Sequence, residues 1–172
     1  MTKKASVFLC LLLTLLVFLA SCGRSPILPN ESGIATGDVG DIFQGKYMDV
    51  TVKSAKNVSS YGGYSPKNGD TLVDVVLRIE NTSEEDILLF DTSFQLQWGE
   101  KGFADPLVAV DDHTMAPLET TISVGESTEY HYIYSVPKTV TIMKLCFSDT
   151  VPANGAPLPA GEGSFFTANI SL

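Results

Sequence analysis

Apolar and polar residues alternate along most of the chain after residue 45, and this two-residue period restricts the fold more than any other feature. Successive side chains of a β-strand point to opposite faces of a sheet, so the alternation predicts strands with one buried face. The clearest segments are 46–55, 71–81, 93–98 and 127–136, and turns rich in Gly, Ser, Asn and Asp separate them. Short strands joined in this way predict an all-β protein, built as an antiparallel β-sandwich or barrel.

The alternation also predicts which side chains form the core, because the apolar residues of each predicted strand share one face. The predicted inward residues are Met48, Val50, Val52, Val73, Val75, Leu77, Ile79, Phe94, Leu96 and Trp98. Tyr130, Tyr132 and Tyr134 alternate with His131, which we expect on the solvent face. Residues 104–118 do not alternate cleanly, which leaves room for a short helix.

The first 22 residues have the organisation of an export signal. Lys3 and Lys4 precede an apolar run, 5–20, which is shorter than the roughly 20 residues of a comfortable membrane span. The run ends in Leu19-Ala20-Ser21-Cys22, which resembles the lipobox of bacterial lipoproteins. The resemblance implies cleavage before Cys22 and a diacylglycerol on its thiol, with acyl chains such as palmitate as the membrane anchor. Two acyl chains are enough for stable attachment, so we expect a lipid-anchored protein on the extracytoplasmic face of the cell membrane.

These features predict three parts: a signal peptide (1–21), a lipidated Cys22 with a flexible tether (22–45), and a sandwich domain (46–172). Gly, Pro, Ser, Asn and Asp dominate the tether region, which has no sustained period. Cleavage would change the net charge from −9 (11 basic and 20 acidic residues) to −11 (9 basic and 20 acidic residues). Nucleic acid and anionic headgroups repel such a domain, so we expect no nucleic-acid partner and no membrane contact besides the lipid.

Several turns resemble those of the telokin-like, immunoglobulin-like domains of secreted Gram-positive lipoproteins. The two segments that show this resemblance are VDVVLRIENTSEEDILLF and TTISVGESTEYHYIYSVPKTVTIMKLCFS. In them Asn81-Thr82-Ser83 ends a strand, Gly125-Glu126 precedes a long strand, and Val136-Pro137 ends that strand. The resemblance covers about residues 46–150 and implies an extracellular immunoglobulin-like β-sandwich, but no functional residues. The lipobox itself is compatible with a Gram-positive or a Gram-negative host.

The cysteines leave no disulfide within the mature chain. Cys10 departs with the signal and Cys22 is capped by lipid, so Cys146 has no partner. Cys146 lies among apolar residues, and we expect a buried thiol in a strand. This departs from antibody-type domains, which carry a cysteine pair between their sheets.

The sequence contains no catalytic motif, and we expect a protein that is not an enzyme. G-x-S-x-G is absent, and the chain has only two histidines, His113 and His131. Asp105, Asp111, Asp112 and His113 are weak candidate metal ligands, because clustered carboxylates favour a hard cation such as calcium. The EF-hand spacing is absent and His113 has no nearby second imidazole, so a solvated acidic loop is favoured, with no metal and no cofactor besides the lipid.

Tyr61 and Tyr64 are the candidate binding residues. They lie in the Gly- and Ser-rich segment 58–70, and tyrosine among Ser and Gly is typical of binding loops. The predicted function is a non-catalytic binding module of the cell envelope, whose partner is an extracellular or envelope protein or ligand. Two alternatives remain: a metal-binding protein using 105–113, and a proteinase-inhibitor-like module, which the segment IENTSEEDILLFDTSFQLQW resembles more weakly.

Overall fold

Fourteen β-strands make up the described part of the protein. The computed structural model describes residues 24–111, 114–116, 119–149, 151–152 and 164–172. The first seven strands are β1 (Ile34–Asp38), β2 (Ile42–Gln44), β3 (Met48–Val58), β4 (Asp70–Asn81), β5 (Ile87–Phe90), β6 (Phe94–Trp98) and β7 (Gly102–Ala104). The others are β8 (Val108–Asp111), β9 (Thr114–Met115), β10 (Glu119–Ile122), β11 (Ser127–Pro137), β12 (Ile142–Ser148), β13 (Val151–Pro152) and β14 (Phe165–Ser171).

The strands form three sheets. Six strands are arranged in the order β2-β3-β4-β11-β8-β9, five in the order β1-β14-β12-β6-β7, and three in the order β10-β5-β13. The two larger sheets face each other across one core, in which the rings of Phe94 (β6) and Tyr132 (β11) lie 5.0 Å apart. The predicted all-β sandwich is therefore confirmed. The helix expected within 104–118 is wrong, because the described residues there form β8 and β9.

The period-2 pattern predicted the core correctly. All ten predicted inward residues except Trp98 are buried, and Trp98 packs, half-buried, against the same core. The three alternating tyrosines of β11 are buried with them. In β3 the pattern breaks at Lys53, where a bulge shifts the pairing of β3 with β4 between Val52 and Ser54. The bulge places Ser54, Lys56 and Val58 on the face of the six-stranded sheet that points away from the core, which we call the outer face.

The flexible tether predicted over residues 22–45 is wrong for most of its length. β1 pairs with β14, and β2 pairs with β3, so both strands belong to the sandwich. Phe43 is fully buried, with its ring centroid 5.6 Å from that of Phe147. Even Ile27 is hydrogen-bonded to β2, because its N–H donates to Ile42 O (2.7 Å) and its carbonyl accepts from Gln44 N (3.0 Å). The folded domain therefore begins well before residue 46. The predicted signal peptide and Cys22 lie outside the described residues.

Candidate functional site

Tyr61 and Tyr64 form a small hairpin that we call the tyrosine clip, residues 61–64. The N–H of Tyr61 donates to Tyr64 O (3.0 Å), and the N–H of Tyr64 donates to Tyr61 O (2.7 Å). Gly62 and Gly63 between them have φ values of 52° and 88°. Two successive positive φ values define a type I′ turn, which favours glycine because side chains with Cβ atoms strain there. The sequence Tyr-Gly-Gly-Tyr thus places two aromatic rings at the base of one tight turn.

The clip covers an apolar area on the outer face of the six-stranded sheet. Leu72, Val108, Val110 and Ile133 form a second buried cluster there, and both clip tyrosines pack against it. Ile133 is fully buried although it faces away from the main core. The clip therefore shields outer-face residues that would otherwise contact water.

A cavity of about 370 Å³ lies between the clip and the edge of this sheet. Its lining residues are Ser60, Tyr61, Gly62, Tyr64, Val108, Val110 and Met115. None of these residues is charged. The Met115 side chain is 66% exposed, so this side of the cavity meets solvent. The cavity has the size of a small-molecule site, and such sites are mostly apolar with a few polar groups.

Beside the clip lies a charged cluster that sequence reasoning missed. The carboxylate of Asp74 is 1% exposed, and its Oδ1 lies 2.9 Å from Nδ1 of His131. Its Oδ2 lies 3.5 Å from Nζ of Lys56, which reaches over from β3. His131 was expected simply on the solvent face. It does lie on the outer face, but it is half-buried and paired with a residue 57 positions away in sequence.

Tyr61 connects the cavity with this cluster. Its ring packs on the imidazole of His131, with 5.8 Å between ring centroids and 32° between ring planes. Burial, and then the nearby Asp74 carboxylate, raise the pKa of the Tyr61 phenol. Both effects favour the neutral hydroxyl, so the aromatic wall of the cavity carries no charge.

The candidate metal ligands are not brought together among the described residues. Asp105 is exposed after β7 and accepts a hydrogen bond from Gln95 Nε2 (2.9 Å). Asp111 is exposed at the end of β8, in a different sheet. No group of three or more potential metal ligands occurs within the described ranges. Asp112 and His113 lie outside them, so the metal site stays an untested prediction.

Cys146 lies on β12 as a buried free thiol, as the sequence predicted. Burial raises its pKa, and this outweighs a hydrogen bond with Thr167 and the charge of Lys144, which both lower it. A raised pKa keeps the sulfur protonated and weakly nucleophilic. Cys146 therefore has the features of a structural cysteine. Across the described ranges, no helix is long and apolar enough to cross a membrane.

Three solved structures have a similar fold. A candidate lipoprotein, YcdA of Bacillus subtilis subsp. subtilis str. 168, is 15% identical with a TM-score of 0.52 over 73% of this chain and 37% of its own. An uncharacterized β-sandwich protein of Clostridium difficile 630 is 13% identical, with a TM-score of 0.50. The match covers 86% of this chain and 95% of that protein. The YjhA protein of Bacillus subtilis is 11% identical, with a TM-score of 0.57. The match covers 78% of this chain and 99% of YjhA. At these identities the likeness concerns the fold alone, and the chain spans little more than a third of YcdA.

No curated protein matches the sequence. One family does match, and its description is "Domain of unknown function (DUF4352)". The match includes β2 and most of the other strands of the sandwich, and the finer telokin-like assignment stays a prediction. Since this match extends over residues 37–157, the chain belongs to the DUF4352 family.

Proposed function

We propose that this protein is a lipid-anchored lipoprotein of the cell envelope that presents a non-catalytic binding module. The observation that carries the proposal is the cavity of about 370 Å³ beneath the tyrosine clip. Two tyrosines selected from the sequence as binding residues form its wall, and a rigid sheet forms its floor. Binding sites are often built in this way, from a loop held by a stable scaffold.

The geometry around His131 supports binding rather than catalysis. Nδ1 of the imidazole is engaged by the Asp74 carboxylate, as in a catalytic triad. Within the described part of the chain, however, no hydroxyl or thiol forms a hydrogen bond with this imidazole, and its ring packs on Tyr61. Cys146, the described thiol, lies in the other large sheet. The cluster thus lacks an activated nucleophile and is better suited to holding Tyr61 in place.

The proposed anchor rests on the lipobox-like segment ending at Cys22, and the likeness in fold to a candidate lipoprotein is consistent with it. Because Ile27 is already paired to β2, only residues 23–26 would separate the lipid from the sandwich. The five steps from Cys22 to Ile27, at about 3.5 Å each, span at most about 18 Å, instead of the much longer reach of a 23-residue tether. The domain would therefore sit close to the membrane surface.

Lipid labelling tests the anchor. Cells expressing the full chain are fed a labelled fatty acid, and the protein is recovered from the membrane fraction. We expect label in the wild type and in Cys146→Ser, but not in Cys22→Ser, which should also leave the membrane fraction. Label that persists in Cys22→Ser would contradict the proposed anchor.

Thermal unfolding tests the binding role without assuming a ligand. The purified protein is heated with and without extracts of the envelope and of the culture medium of its host. A ligand at 100 times its dissociation constant stabilises the folded state by about 2.7 kcal/mol, which is a shift of several degrees. We expect the shift in the wild type and in the remote control Tyr47→Ser, but not in Tyr64→Ser. An equal shift in Tyr64→Ser, or none with any extract, would overturn the role of the clip.

A further inference from the structure

We infer that the clip cavity binds a small, uncharged compound with one or two aromatic rings. The inference rests on the proposed function and names the class of ligand for the same site. It follows from the charge of the described lining residues, from the size and the aromatic walls of the cavity, and from the small or polar character of the described residues around it.

The charge of the ligand follows from the lining. Among the described residues, the side chains that line the cavity are apolar or carry a neutral hydroxyl. The lysines and the arginine described on the outer face are already in ion pairs, at 2.7 Å (Lys53 with Glu129), 3.5 Å (Lys56 with Asp74) and 2.9 Å (Arg78 with Glu80). The buried Asp74 is likewise paired with Lys56 and hydrogen-bonded to Nδ1 of His131. A ligand charge in the cavity would lose water without gaining a counter-ion, so a neutral ligand is favoured.

The size and shape of the ligand follow from the volume and the walls. A closed cavity of about 150 Å³ holds benzene, so about 370 Å³ accommodates one or two rings. Tyr61 and Tyr64 offer aromatic surfaces, and aromatic pairs with centroids about 4.5–7 Å apart attract beyond their burial. Met115 at the open side is unbranched and adapts to ligands of differing outline.

The surroundings favour a free compound over a partner protein. A protein interface needs a broad buried patch around its central pocket. Of the described residues that line the cavity, only Met115 is an exposed large apolar residue. Ser60 and Gly62, which line the cavity, and their sequence neighbours Ser59 and Gly63 are exposed and small or polar. One or two rings can be enclosed here, but the described residues around the cavity offer little apolar area to a second protein surface.

His131 acts as a positioning residue for this site. It contacts Tyr61 rather than the cavity, and the buried Asp74 fixes its ring. Replacing His131 by Ala should loosen Tyr61 and weaken ligand binding, whereas His131→Phe keeps an aromatic ring against Tyr61 and should restore most of it. A direct role for the imidazole would leave both variants equally impaired.

A matched probe series tests the inference on the chain from residue 23 onward, which keeps every described strand. The probes share one skeleton: 2-naphthalenemethanol is neutral, 2-naphthoate anionic, protonated 2-naphthylmethylamine cationic, and decahydro-2-naphthalenemethanol saturated. Binding is measured by titration, with the methyl NMR signals of Val108, Val110 and Met115 as the readout. Ile142, which is 73% exposed on the opposite sheet, reports nonspecific adsorption.

We expect saturable binding of the neutral aromatic probe, with at least tenfold weaker binding of both charged probes and several-fold weaker binding of the saturated one. Ser60→Trp, at an exposed position of the rim, should fill the cavity and abolish the shifts, while Tyr47→Ser should not. Preference for a charged or saturated probe, or shifts that persist in a folded Ser60→Trp variant, would overturn the inference.

The two proposals fail in different ways. If an extract stabilises the protein through Tyr64 but no neutral aromatic probe binds, the binding role stands and the ligand class is wrong. If the neutral probe binds in the cavity but no extract stabilises the protein, the proposed binding role is contradicted.

Discussion

Asn81 shows how one buried side chain can hold three segments together. It is 1% exposed at the end of β4. Its Nδ2 donates to the carbonyls of Glu85 and Ile122, each at 2.9 Å, and its Oδ1 accepts from the N–H (3.0 Å) and the hydroxyl (2.8 Å) of Ser83. The Asn-Thr-Ser turn noticed in the sequence is thus a link between β4, the following turn and β10.

Replacing Asn81 by Ala should destabilise the fold by about 1–3 kcal/mol, because it removes the amide donor to the buried carbonyl of Ile122 and the acceptor of the Ser83 N–H. Chemical denaturation measures the change. Asn57→Ala, at an exposed position on β3, is the control and should stay within about 0.5 kcal/mol of the wild type. Equal effects of the two substitutions would mean that the buried amide network contributes nothing specific.

Asp49 makes stability depend on pH. Its Oδ1 is buried and has no hydrogen-bond partner within the described ranges. Burial, and then the carboxylates of Glu80 and Asp149, raise the pKa of Asp49 above 3.8. Ionisation of Asp49 therefore opposes folding. The protonated carboxyl group contributes its full share to the free energy of unfolding below pH 3.8, and this share is lost as the pH rises through the folded-state pKa.

Asp49→Asn should consequently raise the melting temperature at pH 7, and the gain should disappear near pH 3.5, where the carboxyl group is protonated in the folded and unfolded states. Melting curves at both pH values check this. Asp105→Asn, at an exposed position after β7, is the control for the general effect of removing one negative charge. A gain of equal size at both pH values would contradict an electrostatic origin.

At the scale of elements, the clip depends on the backbone freedom of its two glycines. Nothing lies within 4 Å of a Cβ added at Gly62 or Gly63, so substitutions there act through the backbone and not through clashes. Asn is well tolerated at the first central position of a type I′ turn, where φ is 52° here. At the second position φ is 88°, outside the range that Asn adopts readily, and glycine is preferred.

Gly63→Ala should therefore open the clip while leaving the sandwich folded, and Gly62→Asn should preserve it. Amide exchange of Tyr64, whose N–H donates across the turn, measures the opening. We expect faster exchange by roughly fivefold in Gly63→Ala, which corresponds to about 1 kcal/mol of strain. Unchanged exchange in Gly63→Ala would show that the clip does not need the turn geometry.

The strands that sequence reasoning predicted are those with a long period-2 pattern, such as β4 and β11. The pattern indicates a buried face but not the partner strand, so the contact of His131 with Asp74 could not be predicted: it arises from the pairing of β11 with β4. For the same reason the burial of Ile133 under the clip was not foreseen. β1 and β2 were missed because they are only five and three residues long and lie among Gly and Asp. The clip tyrosines could be selected because a composition of Tyr, Ser and Gly alone predicts a binding loop, and their binding role stays a prediction.

At the scale of the whole molecule, the N-terminal segment closes the sandwich at two places. β1 extends the five-stranded sheet by parallel pairing with β14, and β2 covers the edge of the six-stranded sheet. Phe43 from β2 enters the shared core and packs edge-on against the stacked rings of Phe147 and Phe166, with centroid distances of 5.6 and 6.1 Å. Both sheets thus depend on residues that resemble a linker in composition.

This arrangement predicts that a chain beginning at residue 46 is much less stable than one beginning at residue 24, because it loses two strands and exposes Phe147 and Phe166. In the longer chain, Phe43→Ala alone should cost about 3–5 kcal/mol, the usual effect of deleting a fully buried aromatic ring. Leu28→Ala, at a position 64% exposed, should change stability little. Urea unfolding of the four proteins compares them, with the shorter chain expected to unfold at the lowest concentration or to lack a cooperative transition. If the two unsubstituted chains instead unfold at the same concentration, residues 24–45 contribute no stability and the domain begins at residue 46 after all.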